Sequence, residues 1–84
     1  MKYKDELTAR LSAALGKDCS DVIDELYALG ALDETLARRG CAMHEYLLQA
    51  PDTSRSTTSI VSEVAERFCM GERTLWDVVY KVTR

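Results

Sequence analysis

The sequence predicts an all-α protein, a small orthogonal bundle of five helices whose last two form a helix-turn-helix. Apolar residues recur every three or four positions in five segments, which is the period of an amphipathic helix. Glycine, proline or polar stretches separate these segments. With 46% apolar and 30% charged residues, the chain has the composition of an ordinary soluble globular protein.

The length of 84 residues allows one small domain, spanning 1–84. We expect a helical hairpin over 1–30, with a role in dimerisation, and a three-helix unit over 33–84. A chain of this size buries only about 60% of its unfolded surface, so a homodimer would add stability. Because the sequence contains neither an apolar run of about 18 residues nor a signal-peptide core, we expect a cytoplasmic protein without a membrane partner.

The three cysteines are Cys19, Cys41 and Cys69, and their odd number and wide spacing predict reduced, mostly buried thiols. Cys41 and His44 lie three residues apart on one helix face, so a metal site completed by another cysteine is an alternative. Structural zinc sites usually carry paired ligands at short spacing, and this chain has no such pair. The favoured interpretation has no metal and no cofactor.

The first two helices are predicted to pack as an antiparallel hairpin. The first covers 3–15 and stops at Gly16, and the second takes Asp18 or Ser20 as its N-cap and stops at Gly30. The stripe of the second helix that we expect to be buried comprises Val22, Ile23, Leu26 and Leu29.

The third helix is predicted to start after the capping residue Asp33 and to run to Gln49, with Pro51 closing it. Its apolar stripe comprises Leu36, Ala37, Met43, His44, Leu47 and Leu48. Gly40 lies in the middle of an unbroken apolar phase, which favours a close crossing by another helix over a break. His44 is interpreted as a hydrogen-bonded histidine at the edge of the core.

Residues 52–58 form a polar loop whose hydroxyl groups offer N-caps for a helix that begins near Ser59. Arg55 lies in this loop, just before the helix pair. We interpret the loop as a linker, and contact between Arg55 and phosphate groups is the alternative.

Residues 59–82 organise the chain. Two short amphipathic helices are separated only by Cys69, Met70 and Gly71. This connection is too short for an antiparallel return, so the helices must cross at a steep angle. Gly71 can cap the second helix or supply an unusual backbone angle.

The pattern resembles the helix-turn-helix of sigma-factor C-terminal domains and of small bacterial and phage regulators and transposase-like proteins. The resemblance covers residues 59–82 and rests on Val64, Ala65, Phe68, Met70, Thr74, Leu75 and Val78. In two positions the chain departs from the family, with Cys69 at the usual glycine and Gly71 at the usual serine. Cysteine fits the first position provided that its backbone is not left-handed.

The resemblance implies that the helix 72–82 reads DNA. Its face opposite the apolar stripe carries Arg73, Asp77, Tyr80 and Arg84, with Trp76 and Lys81 at the borders. Arg73 is expected to reach guanine edges and Thr74 a phosphate or a thymine methyl group. Tyr80, Lys81 and Arg84 are expected to reach phosphates or sugars.

The charge distribution of the chain is unfavourable for DNA binding. Residues 51–84 carry five cations and five anions, and residues 1–50 carry six cations and nine anions. Asp77 lies in the middle of the predicted DNA-reading face. Because phosphate neutralisation supplies most non-specific affinity, a monomer should bind DNA weakly.

Two functions therefore stand, and we do not expect an enzyme. The first is a DNA-binding regulator of transcription, or a mobile-element accessory protein, that uses double-stranded DNA as its partner. The second is an all-helical protein-interaction module with Trp76 and Tyr80 as anchors. A single histidine, with neither a nucleophile elbow nor a phosphate-binding glycine loop, argues against catalysis.

Overall fold

The structure, a computed structural model, describes residues 1–83 and has five α-helices and no β-strand in that range. The helices are α1 (Lys2–Leu15), α2 (Ser20–Ala28), α3 (Glu34–Gln49), α4 (Thr57–Arg67) and α5 (Glu72–Thr83). The all-α class predicted from the apolar period is confirmed. None of these helices has the length and apolar composition needed to cross a bilayer.

Short polar side chains start α3 and α4. The Asp33 carboxylate accepts a hydrogen bond from the Leu36 backbone N–H at 2.8 Å, which confirms it as the cap of α3. Ser56 is the N-cap of α4, and its hydroxyl oxygen accepts from the Ser59 N–H at 3.1 Å. The helix therefore begins at Thr57, two residues earlier than the sequence suggested.

The N-cap of α2 differs from the prediction. Cys19 occupies that position, and its side chain makes no capping hydrogen bond. The Asp18 carboxylate instead accepts from the Ser20 N–H at 2.9 Å and from the Ser20 hydroxyl. The hydroxyl bond is the main reason that the Asp18 pKa is lowered, and the backbone bond lowers it further. Asp18 therefore stabilises the start of α2 from the position just before the N-cap.

The chain forms two compact units, the first covering Met1–Cys41 and the second beginning at Ala42. The boundary falls inside α3, so this helix contributes residues to both units.

The first unit is tied together by the Glu34 carboxylate at the start of α3. It accepts hydrogen bonds from the backbone N–H groups of Tyr3 at 3.0 Å and Lys4 at 2.9 Å, at the start of α1. It also accepts from the Tyr27 hydroxyl of α2 at 3.0 Å. Since Met1 provides no side-chain cap, Glu34 satisfies N–H groups that the helix start leaves unpaired.

The buried part of the first unit is small, comprising Cys19, Ile23, Ala37 and Cys41. The prediction of a buried stripe on α2 was wrong for most of its members, because only Ile23 is buried. Val22 is 61% exposed, Leu29 is 76% exposed and Leu26 is half-buried. Ile23 follows Val22 by one residue, about 100° round the helix, so a packed side centred on Ile23 leaves Val22 and Leu29 outside it.

Gly40 lies in an unbroken α3, as predicted. A Cβ atom built there would lie 3.5 Å from the Leu7 side chain of α1, which is an ordinary van der Waals contact. A helix therefore does pass this point, but its approach leaves room for a methyl group.

The core of the second unit comes from the end of α3 and from α4 and α5. Among the side chains whose burial the structure describes in this unit, the buried apolar ones are Ala42, Met43, Tyr46, Ile60, Val61, Val64, Ala65, Phe68, Leu75 and Val79. The predicted apolar stripe of α3 is only partly buried, since Leu36, Leu47 and Leu48 are all exposed. His44 is half-buried, in keeping with a position at the edge of the core.

The cysteines differ in environment. Cys19 and Cys41 are buried, and burial raises the pKa of the Cys41 thiol to about 12. Cys69 is exposed, so two of the three thiols are buried, in agreement with the expectation of mostly buried thiols. All three lie in the described part of the chain, and none forms a disulfide there.

Candidate nucleic-acid interface

The corner between α4 and α5 is a Schellman motif. The Met70 N–H donates to the Ala65 carbonyl at 2.9 Å, and the Cys69 N–H donates to the Glu66 carbonyl at 3.2 Å. These bonds satisfy carbonyl groups at the end of α4 and turn the chain sharply. Met70 is half-buried in the corner.

Cys69 has a φ of 54°, which lies in the left-handed region. The sequence-based expectation that cysteine fits here with an ordinary backbone was therefore wrong. The geometry requires the conformation that glycine adopts without cost, and the chain adopts it with a cysteine. The same motif ends α2, where Gly30 has a φ of 77° and the Ala31 N–H donates to the Leu26 carbonyl at 2.9 Å.

The comparison of Cys69 with Gly30, which occupies the same position of the motif at the end of α2, gives a prediction about stability. Cys69→Gly should raise the free energy of unfolding by about 0.5–1 kcal/mol, because relief of the left-handed strain outweighs the greater flexibility of glycine in the unfolded chain. Gly30→Cys is the matched control and should lower stability, since a Cβ there meets open space and only the backbone is affected. Urea unfolding followed by circular dichroism measures both. A loss of stability in Cys69→Gly would show that the thiol side chain contributes more than the strain costs.

Helix α5 begins directly after the corner. The Leu75 N–H donates to the Gly71 carbonyl at 3.1 Å, so Gly71 stands at the N-cap position. Gly71 does not have a positive φ, and a Cβ atom would lie 3.9 Å from the Thr74 hydroxyl. Of the two roles predicted for Gly71, the one that required an unusual backbone angle is thus wrong. A serine, which the helix-turn-helix family usually has at this position, would fit here.

Leu75 and Val79 of α5 are buried and α5 packs on α4, whereas Val78, one of the residues on which the resemblance rests, is half-buried.

The opposite side of α5 is exposed. Arg73, Asp77, Tyr80 and Lys81 all have exposed side chains, and their spacing brings them to one side of the helix. Thr74 is half-buried at the start of the helix. Arg84, the last member of the predicted set, lies outside the described residues.

Trp76 and Tyr80 form a stacked aromatic pair on α5. Their ring centroids lie 5.7 Å apart and the ring planes are inclined by 29°. Trp76 is half-buried and Tyr80 is 58% exposed. The pair therefore presents a flat apolar surface beside the exposed charges.

Arg55 is engaged with other side chains of the second unit. Its guanidinium donates to the Gln49 side-chain oxygen at 2.6 Å and pairs with the Glu63 carboxylate of α4. Sequence reasoning missed Gln49 and Glu63 because loop geometry alone brings them to Arg55. A phosphate at Arg55 would have to compete with this ion pair.

In the part of the chain that the structure describes, no three His, Cys, Asp or Glu side chains are grouped so that they could hold a metal ion. The pair Cys41 and His44 gains no third ligand among those residues.

Comparison with known proteins yields no relative. The chain matches no protein-family model, and no curated protein and no solved structure is significantly similar to it. The site must therefore be interpreted from its own geometry.

Proposed function

We propose that this protein binds double-stranded DNA, with α4 and α5 acting as a helix-turn-helix and α5 as the reading helix. The observation that supports this most is the corner, a Schellman turn with a left-handed residue between two packed helices. Such a corner leaves the outer side of α5 available to a major groove, which admits an α-helix.

The exposed side chains of α5 then take distinct roles. Arg73, in the first turn, would donate to the acceptor atoms of guanine. Thr74 would contact a phosphate or a thymine methyl group, and Tyr80 and Lys81 would contact phosphates or sugars. Asp77 would repel phosphates and would accept a hydrogen bond only from the amino group of cytosine or adenine. This face favours weak binding that depends on base contacts.

The charge balance favours a homodimer, in which two half-sites combine. A cytoplasmic bacterial regulator of transcription, or a mobile-element accessory protein, is the class of protein that fits this proposal. Among the described residues, the exposed predicted contacts of α5 include two cations, Arg73 and Lys81, and one anion, Asp77. Monomeric binding should therefore be lost at moderate salt.

The test is a fluorescence anisotropy titration with mixed-sequence DNA duplexes at low salt. Arg73→Ala should weaken binding about tenfold for those duplexes that offer guanine at the contacted position, since a good base contact is worth about 1–3 kcal/mol of discrimination against the wrong base. Arg67→Ala is the matched control, because it removes the same charge from α4, where Arg67 pairs with Glu45 at 3.4 Å. Absence of binding by the wild type at low salt would overturn the proposal, and equal losses in both variants would remove α5 as the reading helix.

A second candidate is a protein-interaction module, favoured by the stacked and partly exposed Trp76 and Tyr80. Aromatic residues of this kind often form the energetic centre of protein interfaces. Repeating the titration over a range of salt concentrations tests the first candidate, because DNA binding falls steeply with salt. The second candidate predicts instead that Trp76→Ala changes the mass measured in solution while circular dichroism shows unchanged helicity.

A further inference from the structure

A second surface lies on α2, in the first unit. Val22 and Leu26 of α2 and its C-cap residue Leu29, which keeps a right-handed helical backbone, recur at the i, i+4 and i+7 positions and share one side. We call these three residues the α2 stripe. Val22 is 61% exposed and Leu29 is 76% exposed, although both are large apolar side chains. The i, i+4, i+7 spacing is that of a helix that packs along a partner helix.

The orientation of α2 is fixed by contacts on its other side. Ile23 is buried, and the Tyr27 hydroxyl donates to Glu34 at 3.0 Å. The Lys4 ammonium group lies 2.9 Å from the Asp24 carboxylate and 5.3 Å from the centroid of the Tyr27 ring. Turning the α2 stripe inward would break these contacts, so the stripe faces outward as a stable feature of the unit.

The charges of α2 indicate what fits this surface. Its only charged residues are Asp21, Asp24 and Glu25, so the helix has no cation. Asp24 is paired with Lys4, whereas Asp21 and Glu25 are exposed on the solvent side, and Glu25 borders the α2 stripe. Pairing α2 with α2 of a second copy would bring identical carboxylates together, which is unfavourable. A helix with apolar residues at the same spacing and lysine or arginine beside them is complementary in both respects.

We propose that the α2 stripe is a docking surface for a basic amphipathic helix of another protein. The contact would bury Val22, Leu26 and Leu29 against the apolar residues of the partner, and Asp21 and Glu25 would pair with its cations. A nine-residue helix is about 13 Å long and offers roughly two turns of contact, so the affinity should be modest. This proposal does not depend on DNA binding by the second unit.

The experiment uses the full chain and two fluorescent helical peptides. Both carry leucines at i, i+4 and i+7, and one has lysines beside them while the other has glutamates. The lysine peptide should bind at least tenfold more tightly. Leu29→Ser and Val22→Ser should each weaken its binding about fivefold or more. Leu48→Ser is the matched control, because Leu48 is 61% exposed on α3 in the second unit and should leave binding unchanged.

Three outcomes would overturn the proposal. One is equal binding of the two peptides, which would exclude charge complementarity. Another is unchanged binding in both serine variants while circular dichroism shows an intact fold, which would place the peptide elsewhere. The third is a dimeric mass in solution that Leu29→Ser converts to a monomer, which would assign the α2 stripe to a second copy of this chain.

Discussion

Leu75→Ala is expected to lower the free energy of unfolding of the second unit by about 2–5 kcal/mol. The Leu75 side chain is fully buried, with 0% exposure, on the side of α5 that packs on α4. Truncation removes apolar contacts and leaves a cavity in a small core, which has few other side chains to fill it. Because the core aligns the two helices, the loss should also disorder the outer face of α5.

The chain offers a matched control and a local probe for this prediction. Leu48→Ala makes the same chemical change at a side chain that is 61% exposed, and should alter stability by no more than about 0.5 kcal/mol. Trp76 is the only tryptophan of the chain and directly follows Leu75, so its fluorescence during urea unfolding reports on the second unit. Similar unfolding free energies for the two variants would contradict the packing of α5 through Leu75.

The positions of the helices were predicted well, because the start and end of a helix depend on residues that are close together in the sequence. Asp33 caps α3 through the hydrogen bond that its residue type suggests, and the chain leaves α3 at Gln49 just before Pro51. Which apolar residues are buried depends instead on what lies opposite them. Val22 and Ile23 look equivalent in the sequence, yet only Ile23 is buried, because α2 is held by the contacts of Tyr27 with Glu34 and of Asp24 with Lys4.

At the candidate site, too, some features follow from the local sequence and others do not. The exposed row on α5 follows from helical periodicity once Leu75 is placed in the core, so Arg73, Asp77, Tyr80 and Lys81 could be predicted. The left-handed Cys69 could not, because only glycine signals that conformation in a sequence.

Glu34→Gln is expected to destabilise the first unit at neutral pH and to remove part of its sensitivity to acid. The Glu34 pKa is lowered chiefly by the hydrogen bond from the Tyr3 backbone N–H, and further by those from the Lys4 N–H and the Tyr27 hydroxyl. The folded state therefore binds a proton at Glu34 less readily than the unfolded state does. This stability is fully present above the unfolded pKa of about 4.3 and is lost as the pH falls through the lowered folded pKa.

Thermal midpoints measured by circular dichroism from about pH 2 to 7 test this linkage. The wild-type midpoint should fall more steeply below about pH 4.5 than that of Glu34→Gln, because glutamine cannot titrate. Glu25→Gln makes the same substitution on the exposed side of α2 and should follow the wild-type profile. Parallel profiles for Glu34→Gln and the wild type would mean that this carboxylate does not hold the three helices together.

Tyr27→Phe tests the other side of the same hydrogen bond, at alkaline pH. Burial, followed by the bond to Glu34, raises the Tyr27 pKa to about 12. The stability from this phenol is complete below its unfolded pKa of about 10 and is lost as the pH rises toward 12, so only the phenylalanine variant should lack that alkaline loss.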